Sequence, residues 1–440
     1  MPLGGGNFTA ENKVLPGAYL NFVTAQAAST AGIRGTVTLP LALNWGKDGE
    51  MITVRAAEFA KKAVSILGYD AAAPELLLVR EALKNAHTLL VYRINGGGIA
   101  AKKTIGGIEW TAVCTGTRGN AVKGAVQSNI DVESLFDVVT YLGQVEVDRQ
   151  TVATAEDLHA NDYVTFGTGT LAAEAAVALA GGTNGTMDGA AYAAYLAKAE
   201  VEDFDAIGYP GTDVTTKQLF KVFAVRLNDL EGKKLQCVLC DFSADHEAII
   251  NVKNGVKLQD GTVIPADKAV AWVAGASAAA DVNQSLTNAA YPGAVDVDVR
   301  YTQTEYAEAV KAGQLAFYGE NGAARVVADV NSLVTLGENK PEDIKHNRVV
   351  RVLNGWANDV ARIFGTSYLG RQTNNDTGRQ LFKADLVALA GQYQAKEAIS
   401  NFDANDVSIS QGTGKRDIVV TNSLQPNDSM EKLYVTTQVL

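Results

Sequence analysis

The pattern of elements predicts a multi-domain protein of the mixed α/β (α+β) class. Three stretches carry that expectation: a strand–helix–strand unit over residues 204–240, a run of short strands and glycine turns over 96–166, and a helix pair followed by a hairpin over 347–422. The first requires neighbouring parallel strands, the second reads as an antiparallel module, and the third is a separate helical layer. One layer cannot accommodate all three.

The elements follow in order. Residues 1–23 are expected to be a terminal segment of their own, in which Gly4, Gly5 and Gly6 read as a flexible lead and Pro16-Gly17 opens a strand-like stretch over 18–23 containing Tyr19, Leu20, Phe22 and Val23. Ala57, Ala60, Val64 and Leu67 recur at helical spacing within 54–67, and Pro74 sits near the first turn of a second helix over 74–86. Residues 88–94 then read as a buried strand. Past Gly96, Gly97 and Gly98 the texture changes, so 97–185 is expected to be an inserted β-rich domain. An alanine-rich helix (188–201), a strand (204–209), a capped helix (215–230) and a strand (234–240) return the chain to a central α/β domain, discontinuous over 24–96 and 186–340. Near Pro341 the composition shifts again. Helices over 347–364 and 377–394, then a hairpin of 406–410 with 417–422 turning at residues 412–415, define a C-terminal domain over 341–424. Turn residues at 425–429 separate it from an arm over 425–440.

Composition narrows the function. The chain has 440 residues, 47% hydrophobic, with a formal charge of −11. It lacks the basic excess that phosphate neutralisation demands, so no nucleic-acid partner is expected. Met1 to Lys13 has neither a basic start nor an apolar core, and no run of 18 uncharged apolar residues occurs, so neither a signal peptide nor direct membrane insertion is expected. Cys114, Cys237 and Cys240 are too few and too odd in number for a disulfide framework, which suits reduced thiols in a cytosol. Charge is uneven: residues 345–416 hold ten Lys and Arg against six Asp and Glu, a local +4.

The chemical motifs have plainer explanations. Gly167-Thr-Gly169-Thr-Leu-Ala172 follows a strand-like 162–166 and precedes a helix-like 172–180, the outline of a nucleotide-binding turn and the basis of an alternative reading as a cytosolic nucleotide-binding α/β enzyme. The acid-ended parallel strand that such a site needs does not follow. Cys237 and Cys240 have redox or zinc spacing but lie three apart on a strand, hence on opposite faces. Asp296 and Asp298 share a strand face as ordinary half-exposed residues do, and Glu200, Glu202, Asp203 and Asp205 form a solvated acidic junction. The four histidines are scattered. No nucleophile, base and orienting group assemble, so no catalytic residue, metal or cofactor is expected.

The stretch Met430-Glu-Lys-Leu-Tyr-Val-Thr-Thr-Gln-Val-Leu440 alternates as a strand does, with Leu433, Val435 and Val439 on one face and Tyr434 on the other. By pattern alone it either tucks into its own sheet or offers an edge to another chain.

Several segments together resemble the sheath subunits of contractile tails in myoviruses, phage-tail-like bacteriocins and type VI secretion systems. They are Asn12 to Phe22, Leu89 to Arg93, Thr115 to Asn120, Leu179 to Gly185, Ala271 to Gly275, Ser285 to Thr287 with Tyr291 to Ala294, Arg325 to Asn331, and Met430 to Tyr434, in the family's order and closest to the Gram-positive type. The resemblance implies stacked hexameric rings around an inner tube, with baseplate and tail-terminator partners, contracting from a metastable state to drive the tube through a cell envelope. It also implies that the terminal strands are donated to neighbouring subunits. The arms would be Tyr19, Leu20, Phe22 and Val23 at one end and Leu433, Tyr434, Val435 and Val439 at the other, received by a hairpin carrying Val407, Ile409, Ile418 and Val420. Tube contacts would come from the C-terminal domain, with Arg362, Arg371, Arg379 and Lys383 as candidates. Such particles assemble in the bacterial host cytoplasm.

Overall fold

The computed structural model describes residues 4–6, 17–19, 34–338 and 340–439. Its centre is a seven-stranded sheet built from β1 (Thr36–Leu41), β2 (Met51–Arg55), β3 (Thr88–Arg93), β4 (Ala206–Gly208), β5 (Gln236–Cys240), β6 (Ile249–Val252) and β7 (Gln314–Leu315). The order is β7-β6-β5-β4-β1-β3-β2, and every pair is parallel except β2 with β3. The parallel strands are almost wholly buried and mostly apolar because helices cover both faces. On one face lie α1 (Ala56–Leu67), α2 (Leu77–Leu83) and α5 (Ala266–Ala279); on the other lie α3 (Gly189–Ala199) and α4 (Val214–Arg226). A further helix, α6 (Gln303–Lys311), begins with a Thr302–Glu305 capping box and runs into β7.

The expected strand–helix–strand unit is β4–α4–β5, and Asp213 caps α4 by accepting the Thr216 amide at 2.7 Å. Cys237 and Cys240 fall into the cores on opposite faces of the sheet. The helix expected from Ala57, Ala60, Val64 and Leu67 forms, but its buried side is Phe59, Ala63 and Leu67, with Ala57 and Ala60 facing solvent. Small alanines give the period without fixing the phase, and Phe59 has more apolar area to bury.

Helix α5 is buried nearly all round, as a helix sandwiched between a sheet and a second helix must be. At its crossing with α2, a Cβ on Gly275 would meet the carbonyl oxygen of Ala82 at 2.2 Å. Gly275→Val is therefore expected to force the two helices apart and destabilise the subunit by about 1–3 kcal/mol or more, read as a lowered midpoint in chemical denaturation. An unchanged midpoint would mean that the crossing is not close-packed.

Residues 100–178 form two facing antiparallel sheets, one of four strands and one of three, closed around Ile105, Ile108, Trp110, Val126, Val138 and Val164. Trp110 fills the space over Gly124, where a Cβ would sit 2.8 Å from its ring. The segment 172–180 differs from the sequence expectation: Glu174–Ala178 is a strand paired antiparallel with Val122–Ser128, not a helix. Tertiary pairing overrides the helix propensity of its alanines.

One side chain ties this module to the central sheet. Arg93, buried at the end of β3, donates to the carbonyls of Leu43, Gly46 and Thr115, to Asp48 at 3.0 Å and to the side chain of Asn184 at 3.2 Å. The loop after β1, the module at Thr115 and the returning chain at Asn184 thus converge on one guanidinium, whose planar fork suits such a hub.

The third layer is α7 (Asn347–Ile363) with α8 (Asp376–Ala395), packed through Val352, Trp356, Ile363, Phe382, Leu386 and Tyr393. A buried polar chain joins it to the central sheet. Ser277 donates to Gln236 at 2.6 Å, Gln236 to Asn347 at 2.8 Å, and Asn347 to Asp329 at 2.9 Å, while Asp329 also pairs with Arg351. The Arg351 and Asp329 side chains are 0% and 2% exposed, so this ion pair is sealed between the two layers.

Candidate inter-subunit site

The hairpin of β8 (Val407–Gln411) and β9 (Ile418–Asn422) pairs Val407 with Asn422, Ile409 with Val420 and Gln411 with Ile418. Its turn closes through the Gly412 amide on the Asp417 carbonyl and the Gly414 amide on the Asp417 carboxylate. Period-2 alternation puts Val407, Ile409, Ile418 and Val420 against the helix pair and leaves Ser408, Ser410, Val419 and Thr421 outward. A lone two-stranded ribbon is marginal in water, so the packing on α8 sustains it. Among the described residues no third strand joins this sheet, and both outer edges keep free main-chain groups.

The C-terminal segment leaves the body nearby. Gln425–Pro426 pairs antiparallel with Ile399–Ser400. Beyond it, among the described residues, 433–439 pairs with no strand, and Leu433, Tyr434, Val435 and Val439 are 88%, 88%, 72% and 91% exposed. The strand expected over 433–439 is thus not a strand within this chain, because a strand needs a ladder partner and none is supplied here. A row of large apolar side chains held in water marks an interaction segment. At the other end, the backbone of Gly17–Tyr19 pairs in parallel with Gly4–Gly6; Leu20, Phe22 and Val23 lie outside the described residues. Arg34 is half-buried, its guanidinium among the carbonyls of Ser277 and Ala280 and the carboxylate of Asp205 at 3.5 Å, and desolvation lowers its pKa despite that carboxylate.

A cleft of about 540 Å³ separates the N-terminal ends of the strands from α7 and α8. Arg34, Asp205, Lys233, Asp359, Arg362 and Tyr393 line it. Three pairs of its charges are matched: Arg34 with Asp205, Arg362 with Asp359 at 3.0 Å, and Lys396 with Asp281 at 2.9 Å. Tyr393 donates to Asp359 at 2.9 Å, and burial followed by that carboxylate pushes its hydroxyl pKa far up. In the acidic junction at 200–205, Glu200 is paired with Arg226 and Asp205 with Arg34, while Asp203 is exposed to solvent. Of the three cleft pairs, Lys396 with Asp281 ties the end of α8 to the central body, while the other two lie within one side of the cleft.

Of the four basic candidates, Arg362 faces this cleft. Arg371 donates to the Thr366 carbonyl at 2.6 Å, Arg379 pairs with Asp376 and donates to Asn374 at 2.8 Å, and Lys383 lies half-buried one turn along α8. Asn374 also donates to the carbonyls of Lys415 and Asp417, each at 3.0 Å, fastening the interhelix connection to the hairpin turn. Arg371 and Arg379 are thereby brought to the same end as Lys415 and Arg416, while Arg362 stays apart. Lys415 and Arg416 were visible in the sequence only as part of the local charge excess.

The Gly167–Ala172 turn is corrected as a nucleotide site. Gly167 donates to the Glu109 carbonyl at 2.7 Å and Ala172 to the Gly106 carbonyl at 3.0 Å, so these amides are spent. A Cβ at Gly169 would lie 2.4 Å from the Gly107 carbonyl oxygen, and the strand that follows offers no helix N-terminus to a phosphate. Asp296 is held by Arg300 at 2.8 Å, and Asp298 accepts the Gly255 amide. Among the described residues no helix is long and apolar enough to cross a membrane.

Comparison with known proteins covers the chain in four pieces. Residues 34–94 match the tail sheath protein Gp18 domain III N-terminal region, 96–184 the phage tail sheath protein beta-sandwich domain, 185–332 the phage tail sheath protein central domain, and 339–440 the phage tail sheath C-terminal domain. The phage-like element PBSX protein XkdK of Bacillus subtilis (strain 168) is 37% identical over 99% of this chain and all of that protein. The crystal structure of the sheath tail protein of Desulfitobacterium hafniense is 42% identical, covers 95% of this chain and 99% of its own, and superposes with a TM-score of 0.83. The helical sheath of the anti-feeding prophage in its contracted state shares the fold at 12% identity, with a TM-score of 0.58 over 97% of this chain and 99% of its own.

Proposed function

The chain belongs to the phage tail sheath protein family, and from that premise we propose that it polymerises as stacked hexameric rings around an inner tube and contracts from a metastable extended state, linked throughout by exchanged strands. The observation that carries the reading is the pairing of opposites on one subunit: among the described residues, an apolar segment, 433–439, with no ladder partner, and a hairpin, β8–β9, with open edges. Strand addition satisfies both, since main-chain bonds supply affinity and alternate side chains supply fit. Every subunit donates and receives, so the links act together through effective concentration while larger surfaces slide.

On this reading Leu433, Tyr434, Val435 and Val439, with Tyr19, Leu20, Phe22 and Val23 from the N-terminal arm, complete a sheet on neighbours at Val407, Ile409, Ile418 and Val420. The domain division expected from the sequence gives each part its own role, with arms at 1–23 and 425–440, a central body at 24–96 and 186–340, an inserted domain at 97–185 and an inner domain at 341–424. Arg371, Arg379 and Lys383, with Lys415 and Arg416, give the inner domain a basic end for an acidic tube surface, and Arg362 is proposed to reach the tube only after movement of the cleft. Baseplate and terminator proteins cap the polymer, which assembles in the host cytoplasm. The protein does mechanical work rather than catalysis. Negative-stain microscopy of the purified chain, with and without tube protein, is expected to show rings or tubes; a monomer at all concentrations in both conditions would count against the reading.

A further inference from the structure

The root of the C-terminal segment is fastened at several points before the chain becomes free. Besides the Gln425–Pro426 pairing, Asn401 donates to Gln425 at 2.9 Å, and the Asn427 amide and side chain donate to the carbonyls of Ala398 and Glu397 at 2.9 and 3.0 Å. Asp428 pairs with His346, the residue that opens α7. Glu431 accepts from Thr287 at 2.7 Å and from Ser429 at 3.1 Å. These anchors lie on three separate parts of the fold: the turn after α8, the start of α7, and the loop before the strand at 294–297. Thr287 also accepts the Asp329 amide at 2.9 Å, and Asp329 is the carboxylate paired with Arg351. The fastening therefore reaches into the polar chain that joins the helix pair to the central sheet.

We propose that residues 425–431 are a clasp holding the arm's root on its own subunit, with His346 and Thr287 as its positioning residues, so that the free arm begins at Lys432. This rests on the reading of 433–439 as a donated strand and adds where that strand is measured from. Eight extended residues, 432–439, reach about 26 Å, and releasing the clasp would lengthen the tether by roughly 23 Å at about 3.3 Å per residue. A longer tether lowers the effective concentration of the arm at a neighbour's hairpin. Because the clasp bridges the helix pair and the body, movement between those layers would loosen it, coupling arm release to subunit rearrangement.

The clasp should respond to protons. The His346 ring faces Asp428 and, further off, Glu431 on the arm and Asp343 on the preceding turn, where Lys345 is paired with Glu342; Arg348 on α7 acts on Asp428. The hydrogen bond to Asp428 raises the His346 pKa against the opposing effect of burial. A group bound more tightly to its proton in the clasped state stabilises that state below its released pKa and loses the effect as pH rises through its clasped value. Alkaline conditions therefore open the clasp.

The deciding experiment places a nitroxide on Lys432→Cys in the full-length subunit, kept dilute, where the three native cysteines are buried. Label mobility is expected to rise by about threefold between roughly pH 6 and pH 9, the range in which a raised histidine titrates. His346→Gln should be mobile and flat across that range, Thr287→Val should be mobile but still pH-responsive, and Thr287→Ser should restore the native profile. Mobility that is flat in the native sequence, or unchanged by His346→Gln, overturns the clasp. Tube formation is scored in parallel: tubes with a flat profile reject the clasp alone, whereas a responsive profile without tubes sustains the clasp and rejects strand donation.

Discussion

Removal of residues 432–440 is expected to abolish rings and tubes while leaving a folded subunit. No strand among the described residues pairs with 433–439, so the subunit loses no internal ladder when it goes. The polymer loses much more. Leu433, Tyr434, Val435 and Val439 are between 72% and 91% exposed, and burying a large apolar side chain is worth about 1.5–3 kcal/mol. Each main-chain hydrogen bond adds about 0.5–1.5 kcal/mol net. Several kilocalories per link survive the cost of ordering the arm, and the loss is multiplied over every subunit of a ring. Circular dichroism and denaturation should match the full-length chain, and micrographs should be empty. Tubes of normal appearance from the truncated chain would mean that the body surfaces alone hold the sheath.

Arg351→Met is expected to cost about 3–5 kcal/mol, as uncoupling a sealed ion pair generally does. The substitution leaves Asp329 dehydrated, with the Leu286 amide and the Asn347 side chain still bound to it but no cation. Pairing Arg351→Met with Asp329→Leu should cost less than the two single changes added together, because the second change removes the charge that the first orphaned. Denaturation midpoints read both. A loss below about 1 kcal/mol for Arg351→Met would mean that water reaches the pair and screens it. The same variant should loosen the helix pair from the body, and with it the clasp, since Thr287 bonds the Asp329 amide.

Much of this architecture was legible because its signals are local. The β4–α4–β5 unit, the helix pair and the β8–β9 hairpin each carry their own period, caps and turn residues, and each forms where the sequence places it. Two of the errors fall where alanine leaves the decision to the surroundings. Residues 172–180 carry helix-forming alanines yet pair with Val122–Ser128, and α1 keeps its period while turning Phe59 rather than Ala57 inward. Long-range polar links had no local signature at all. His346 and Asp428 lie 82 residues apart, Thr287 and Glu431 lie 144 apart, and neither pair forms a motif. The alternation of 433–439 was readable as a strand, but that no strand among the described residues pairs with it could be seen only in the folded chain.

The most direct test of strand exchange is a helical reconstruction of the assembled polymer at a resolution that traces the main chain. Strand exchange requires density for 433–439 as a strand on the edge of a neighbouring subunit's β8–β9 hairpin, entered from a root still clasped at 425–431. Density showing that segment paired within its own subunit, or lying unpaired along the surface, would contradict it.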